Sequence, residues 1–250
     1  MRLTIELVAH RGDRARFPEN TLPALRGAVE AGARFVEFDV QVSADEVPVL
    51  LHDATLNRTG NLDRSVFHCS ASELSATSVG ETERFGVRYG DTPVPTLEQA
   101  VALLNSVPQT TAFVELKRHS LEHFGIERVL DRVMPVMDAA RFPWVLISFE
   151  ADAIRAFQER IQHPAGWELR SYDHASHTMA RTLSPHYLFV KAERIPADVE
   201  RLWPGPWRWV VYGINDVESA KRYGALGASL VETDQLQLLL NHFVKDRNRG

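Results

Sequence analysis

An α/β barrel of eight parallel strands, a (β/α)8 or TIM barrel, is the fold this sequence predicts, on three observations. Eight short runs rich in Val, Ile, Leu and Phe alternate with helical patterns, the order expected of βα units around a parallel sheet. The 250 residues match the roughly 250 typical of such a barrel. No composition break marks a linker, so residues 1–250 read as one domain.

Strands are expected at Ile5–His10, Arg34–Asp39, Thr111–Lys117, Val145–Phe149, Trp167–Ser171, Tyr187–Lys191, Arg208–Ile214 and Ser229–Thr233. The first helix is the best signalled. Asn20 or Thr21 can cap it, Pro23 suits its first turn, Leu22, Leu25 and Val29 mark one face, and Gly32 ends it. The remaining helices are expected at Thr96–Leu104, Leu121–Met137, Glu150–Ile161, His174–Leu183, Pro196–Leu202, Asp216–Tyr223 and Gln235–Phe243.

Two segments depart from the repeat. From Arg34 the chain alternates to Val42, turns near Asp45-Glu46 and alternates again from Val47 to His52, which predicts a hairpin rising beyond the second strand. A turn centred between Asp45 and Glu46 sets Asp39 directly opposite His52, at the roughly 5 Å of a cross-strand pair. Asp53–Pro95 is a long polar stretch with a weak helical signal near Ser72–Leu74. Loops of this length in compact domains are usually functional lids or small subdomains, so residues 53–95 are expected to form an inserted cap over the site.

Composition narrows the function classes. With 28 basic and 33 acidic side chains the formal charge is −5, and no basic run interleaves with aromatics, so nucleic acid is not an expected partner. No segment approaches the roughly 18–20 apolar residues of a membrane span. The first ten residues read as a strand rather than a leader peptide, so the expected setting is the cytoplasm without stable membrane anchoring. The single cysteine, Cys69, has no cysteine partner for a disulfide or a redox pair.

Strand alternation puts Glu37 and Asp39 on one face and Val36, Phe38 and Val40 on the other. In a barrel the apolar face meets the helices, so both carboxylates point inward near the C-terminal mouth. Glu115 and Lys117 repeat the pattern on the next barrel strand. Crowded carboxylates in low dielectric need protons or a cation, and an oxygen donor set without cysteine favours Mg²⁺ or Ca²⁺. His10 ends the first strand and His52 the hairpin, so the two flank the acids as a general acid and a general base would. Arg11 and Lys117 add fixed positive charge suited to an anionic phosphate. The set describes phosphoryl chemistry better than carbonyl chemistry.

Other conspicuous groups carry less. His119 with His123 and His174 with His177 have helical ligand spacing but no carboxylate to complete them, so exposed faces are expected. Trp203-Pro204-Gly205-Pro206-Trp207-Arg208-Trp209 precedes the seventh strand, at the bottom of the barrel, where packing is expected.

The sequence resembles the glycerophosphodiester phosphodiesterases. The resemblance runs from Ala9-His10-Arg11-Gly12 through Pro18-Glu19-Asn20-Thr21, Glu37-Phe38-Asp39-Val40, His52-Asp53, Leu56 with Arg58-Thr59, Pro95-Thr96-Leu97, Glu115-Leu116-Lys117 and Ser148-Phe149 to Thr233-Asp234. It implies a (β/α)8 barrel with an inserted cap, metal ligation by Glu37, Asp39 and Glu115, acid–base roles for His10 and His52, and phosphate contacts from Arg11 and Lys117. It also implies a small glycerophosphodiester substrate, with sn-glycerol 3-phosphate and an alcohol such as choline or ethanolamine as products. The chain departs from the family pattern at Tyr212-Gly213, usually Trp-Thr, at Glu232, usually aliphatic, and at Asp45-Glu46, commonly Asp-Gly. The change at Tyr212-Gly213 bears on which alcohol the pocket accepts. Two rivals are a phospholipase D-like or phosphoinositide-specific phosphodiesterase, which should expose apolar residues such as Val66, Phe67 and Phe85 on the cap, and a silent phosphodiester-binding barrel.

Overall fold

The computed structural model describes residues 5–247; the first four residues of the expected domain and its last three lie outside them. Strands β1 (Glu6–Ala9), β2 (Phe35–Val42), β4 (Thr111–Leu116), β5 (Trp144–Ser148), β6 (Ala165–Glu168), β7 (Tyr187–Lys191), β8 (Arg208–Tyr212) and β9 (Leu230–Thr233) run parallel, each hydrogen-bonded to the next. Pairing of β1 with both β9 and β2 closes the barrel. Strand β3 (Pro48–Leu50) adds to β2 antiparallel, which is the expected hairpin.

The alternation expected of β2 holds. Val36, Phe38 and Val40 pack outward with the helices in the large outer core, whereas Phe35, Phe113, Val145, Ile147, Phe189, Val210, Leu230 and Val8 fill the barrel interior. Phe113 and Phe189 meet edge to face at 5.1 Å between ring centroids. This apolar plug closes the lower barrel and leaves the upper interior to the polar side chains. Phe113→Ala should cost about 3–5 kcal/mol, read as a lower urea midpoint with unchanged m; a loss below about 1 kcal/mol would mean that the plug is loosely packed.

Strand β6 begins two residues before the expected Trp167. Gly166 gives no strand signal, since glycine is depleted in strands. Its absent side chain is required: a Cβ there would lie 2.9 Å from Ile147 Cγ2 and 3.1 Å from Phe189 Cε2.

Helices surround the barrel: α1 (Leu22–Glu30), then after the cap α5 (Leu97–Leu104), α6 (Arg118–Phe124), α7 (Ile126–Met137), α8 (Ala151–Arg160), α9 (His174–Leu183), α10 (Val217–Ala225) and α11 (Leu236–Arg247). Thr21, not Asn20, caps α1, its Oγ1 accepting from Ala24 N–H. The expected Leu121–Met137 helix is broken at Gly125, whose φ of +85° separates α6 from α7. The expected Pro196–Leu202 helix is absent. A single 3-10 turn, Ala192–Arg194, precedes that segment, which runs as turns and bends to Trp203, stacked 3.9 Å from Tyr172, with Trp207 and Trp209 buried nearby. The tryptophan motif is therefore packing. His177 stacks on Trp203 and is half-buried rather than exposed, whereas His119, His123 and His174 are exposed as expected.

Residues 53–95 form short helices α2 (Asn57–Gly60), α3 (Ala71–Ser75) and α4 (Thr82–Phe85) over a small core of Leu56, Val66, Cys69, Leu74, Val79 and Val94 that merges with Val49 and Leu51. The segment grips the loop after β1: Arg84 Nη2 donates to Arg14 O at 2.6 Å, and Tyr89 Oη donates to Arg16 O at 2.9 Å. No helix among the described residues is long and apolar enough to cross a membrane.

Candidate active site

The C-terminal ends of the barrel strands bring together His10, Arg11, Glu37, Asp39, Glu115 and Lys117. Past β1 the chain turns sharply through two left-handed residues, Arg11 (φ +55°) and Gly12 (φ +80°). A Cβ on Gly12 would lie 2.5 Å from the Ala24 backbone, so only glycine fits. This turn aims the Arg11 N–H at Glu37 Oε2, 2.9 Å away.

Asp39 is the hub of the acidic set. Lys117 Nζ lies 3.0 Å from its Oδ1 and 2.8 Å from Glu115 Oε1. Arg11 Nε pairs with Asp39 Oδ2 at 3.1 Å, without the alignment of a hydrogen bond. Asn20, itself left-handed at φ +56°, clamps the same residue twice: its Nδ2 donates to Asp39 Oδ2 at 2.7 Å and its Oδ1 accepts from Asp39 N–H at 3.0 Å. Burial opposes ionisation of Asp39, but Lys117, Arg11 and His52 outweigh it and hold the carboxyl well below its usual range.

Glu37 and Glu115 differ. Burial, reinforced by Asp39 and neighbouring carboxylates, raises Glu37 well above the ordinary value. Burial also lifts Glu115, to about 7, although Lys117 opposes the rise. Glu37, Asp39 and Glu115 each offer an oxygen within 4.8 Å of the others, and Glu37 Oε1 is buried without a hydrogen-bond partner. An all-oxygen set with an orphaned carboxylate oxygen fits a hard divalent cation.

A stability prediction follows for the metal-free protein. Carboxyls raised in the folded state keep protons that the unfolded chain releases, so stability falls as pH rises from the ordinary 4.5 toward about 7 for Glu115. A divalent cation relieves that penalty. Added at a fixed concentration, 100-fold its Kd for wild type at pH 7, it should stabilise that protein by about 2.7 kcal/mol, raising Tm by roughly 5–10 °C. The shift should be larger at pH 7 than at pH 5 and smaller in Glu37→Gln; a shift independent of pH and of Glu37 would place the ion elsewhere.

Each histidine is held by a carboxylate at Nδ1: His10 by Asp234 Oδ1 and His52 by Asp53 Oδ1, both at 2.6 Å. Assigning the Nδ1 proton to those bonds leaves Nε2 of each ring free. Burial and Arg11 outweigh the Asp234 bond and push the His10 imidazole below its ordinary value. The expected register of Asp39 opposite His52 is off by one residue. The loop has three residues, Ala44 to Glu46, with Glu46 at φ +62° and Ser43 N–H donating to Val47 O. Leu51 therefore faces Asp39, its N–H donating to Asp39 O at 3.2 Å. His52 lies just beyond the ladder, where Gln41 Nε2 donates to its carbonyl at 3.1 Å.

Several residues near the site carry no role in the sequence reading. Buried Glu19 pairs with Arg11 at 2.7 Å, Arg14 at 2.7 Å and Arg58 at 2.6 Å. Arg14 also reaches Asp234 at 3.2 Å, and Arg58 reaches Asp53 at 2.8 Å. A continuous ionic chain, His10–Asp234–Arg14–Glu19–Arg58–Asp53–His52, thus joins the two histidines. Glu168 and Glu232, from β6 and β9, bring two further buried carboxylates into the mouth. The sequence signal for Asp53 and Asp234 is their place in the His52-Asp53 and Thr233-Asp234 strings of the family resemblance.

The sequence and the fold have relatives. The model of the glycerophosphoryl diester phosphodiesterase family matches residues 10–238, and the chain belongs to that family. It is 35% identical over 117 residues to glycerophosphodiester phosphodiesterase 1 of Homo sapiens, a match covering 46% of this chain and 35% of that protein. It is 33% identical over 124 residues to a glycerophosphodiester phosphodiesterase of Caldanaerobacter subterraneus, covering 50% of each. These matches span a third to a half of the curated relatives' lengths. Among solved structures, an Oleispira antarctica phosphodiesterase in complex with the product sn-glycerol-3-phosphate superposes with a TM-score of 0.84 at 23% identity, covering 96% of both chains. A glycerophosphodiester phosphodiesterase from Thermotoga maritima superposes with a TM-score of 0.74 at 22% identity, covering 97% of this chain and all of that one. Both share the barrel.

Proposed function

We propose that this protein is a metal-dependent phosphodiesterase that hydrolyses glycerophosphodiesters to sn-glycerol 3-phosphate and a free alcohol. The observation that carries this reading is the pair of carboxylate-clamped histidines at the acidic mouth: Asp39 is in electrostatic reach of both rings. The names of the family and of its relatives supply the substrate class.

In this reading Glu37, Asp39 and Glu115 hold Mg²⁺ or Ca²⁺, which when bound withdraws charge from the phosphate oxygens. Arg11 and Lys117, on either side of Asp39, position the anionic diester. His10, kept neutral by burial, takes a proton at Nε2 from the attacking hydroxyl, and His52 delivers one from Nε2 to the leaving alkoxide; the opposite assignment of the pair uses the same atoms. Asp234 and Asp53 fix the tautomers and stabilise whichever ring is protonated. The nucleophile is water, or the glycerol 2-hydroxyl attacking to give a cyclic phosphate that then opens.

We read residues 1–250 as one catalytic domain and residues 53–95 as its cap, a role supported by the bonds from Arg84 and Tyr89 to the loop after β1. The cytoplasm is the proposed location, in keeping with the lone buried thiol of Cys69. Of the three cap residues that a membrane-active relative would expose, Val66 is buried and Phe67 and Phe85 are half-buried, while Val87 on the same segment is 94% exposed, so the substrate class rests on the family rather than on the cap surface.

The test is release of glycerol 3-phosphate from glycerophosphocholine, glycerophosphoethanolamine and glycerophosphoglycerol, with Mg²⁺ or Ca²⁺ and with a chelator. Turnover that the chelator abolishes is expected. Folded protein inert toward all three would contradict the proposal.

A further inference from the structure

Glu232 and Glu168 have no part in the catalysis proposed above, yet both are buried in the mouth. Glu232 Oε2 and Glu168 Oε1 have no hydrogen-bond partner, nor does Glu37 Oε1. Glu232 Oε1 faces the free Nε2 of His10 across 3.7 Å. With the His10 proton on Nδ1 toward Asp234, a lone pair confronts a carboxylate oxygen, an arrangement that asks for a proton or a cation between them.

A cation can displace such a proton. Five carboxylates, Glu37, Asp39, Glu115, Glu168 and Glu232, face two fixed positive groups, Arg11 and Lys117. With all five ionised, one divalent ion on Glu37, Asp39 and Glu115 leaves that set formally negative before an anionic diester enters; a second reverses the sign.

His10, Glu37 and Glu232 each present one donor atom within 4.8 Å of the others. Zinc takes histidine nitrogen and carboxylate oxygen at about 2.0–2.2 Å in a tetrahedron whose donors stand about 3.4 Å apart, and the 3.7 Å between His10 Nε2 and Glu232 Oε1 is close to that spacing. The Asp234–His10 bond is the outer support that zinc-ligating histidines ordinarily have. A nitrogen-containing set selects Zn²⁺ over Mg²⁺ or Ca²⁺, in contrast to the all-oxygen triad beside it.

We propose that His10 Nε2, Glu37 and Glu232 form a second, zinc-selective site sharing Glu37 with the triad, and that filling it arrests hydrolysis by occupying the His10 nitrogen needed for proton transfer. The inhibitory consequence rests on the acid–base reading of His10; the binding site itself does not.

The experiment is calorimetric titration of Zn²⁺ into the full-length protein saturated with Mg²⁺ or Ca²⁺, for wild type, Glu232→Gln and Asp234→Asn. One equivalent of Zn²⁺ is expected in wild type, weakened at least about tenfold in each variant, with Mg²⁺ or Ca²⁺ affinity retained in Glu232→Gln and its fold verified by thermal unfolding. In the glycerophosphodiester assay Zn²⁺ should inhibit wild type at saturating substrate, and Glu232→Gln should require at least tenfold more. Equal Zn²⁺ affinity in wild type and Glu232→Gln overturns the site. Zinc that excess Mg²⁺ or Ca²⁺ displaces also overturns it, because the ion then sits in the triad. Zinc that binds through Glu232 to a protein inert toward glycerophosphodiesters upholds the site and refutes the substrate reading instead.

Discussion

His10→Ala should lower kcat by on the order of 10²–10⁴ while leaving the fold intact, the range typical of a lost acid–base group. His52→Ala should do the same. The fold should survive because neither ring belongs to a core: His10 is 19% exposed and His52 32% exposed, and each makes its direct hydrogen bond to a carboxylate at the mouth. If the two rings serve the same turnover, the double variant should lose little more than the worse single one, because groups that act as a unit are non-additive. Asp234→Asn gives a second readout: an amide can no longer fix the Nδ1 proton, so the pH–rate profile should move as well as the rate. Full activity in either alanine variant would remove that histidine from the reaction.

The second large effect is expected at Glu19. Its side chain is 1% exposed and meets three guanidinium groups, Arg11, Arg14 and Arg58. Burial opposes its ionisation, but the Arg58 hydrogen bond with Arg11 and Arg14 overcomes this and holds the carboxyl at about 2. Removing one member of a buried ionic set leaves its partners uncompensated, at a cost of about 3–5 kcal/mol, so Glu19→Gln should unfold at markedly lower urea. The pH dependence has a definite sign. A depressed carboxyl contributes its full stability above the ordinary value of 4.5 and loses it as pH falls toward about 2. The gap between wild type and Glu19→Gln should therefore narrow across that acid window. Activity should drop about 10- to 100-fold, as for other outer supports of a site, because Glu19 links the carboxylates behind both histidines. Unchanged stability would mean that the three arginines find water or other acids equally well.

How much of this was legible in the sequence depends on which physics wrote each feature. Barrel strands with strong apolar alternation, such as β2 and β4, are plain because burial on two faces dictates their residues. That same alternation put Glu37, Asp39, Glu115 and Lys117 inside. Features set by three-dimensional packing were not legible. Gly166 hides the start of β6 because its reason is the space taken by Ile147 and Phe189. The segment 196–202 runs without a helix into Trp203, whose stacking partner, Tyr172, lies far away in sequence. The hairpin register slipped by one residue because a left-handed Glu46 permits a three-residue loop that no glycine announces. Glu19, Asn20, Asp53 and Asp234 stand in the strings that carry the family resemblance, but alternation and spacing gave them no place in the site. Their purpose appears once the loops after β1 and β9 meet the hairpin.

The most direct test of the central claim is ³¹P NMR of the purified protein with glycerophosphocholine and Mg²⁺ or Ca²⁺ in water enriched in ¹⁸O. Metal-dependent glycerol 3-phosphate carrying ¹⁸O on phosphorus is expected, with none in chelator and none from His10→Ala on the same timescale. Phosphocholine as product, or glycerol 3-phosphate without the label, would contradict it.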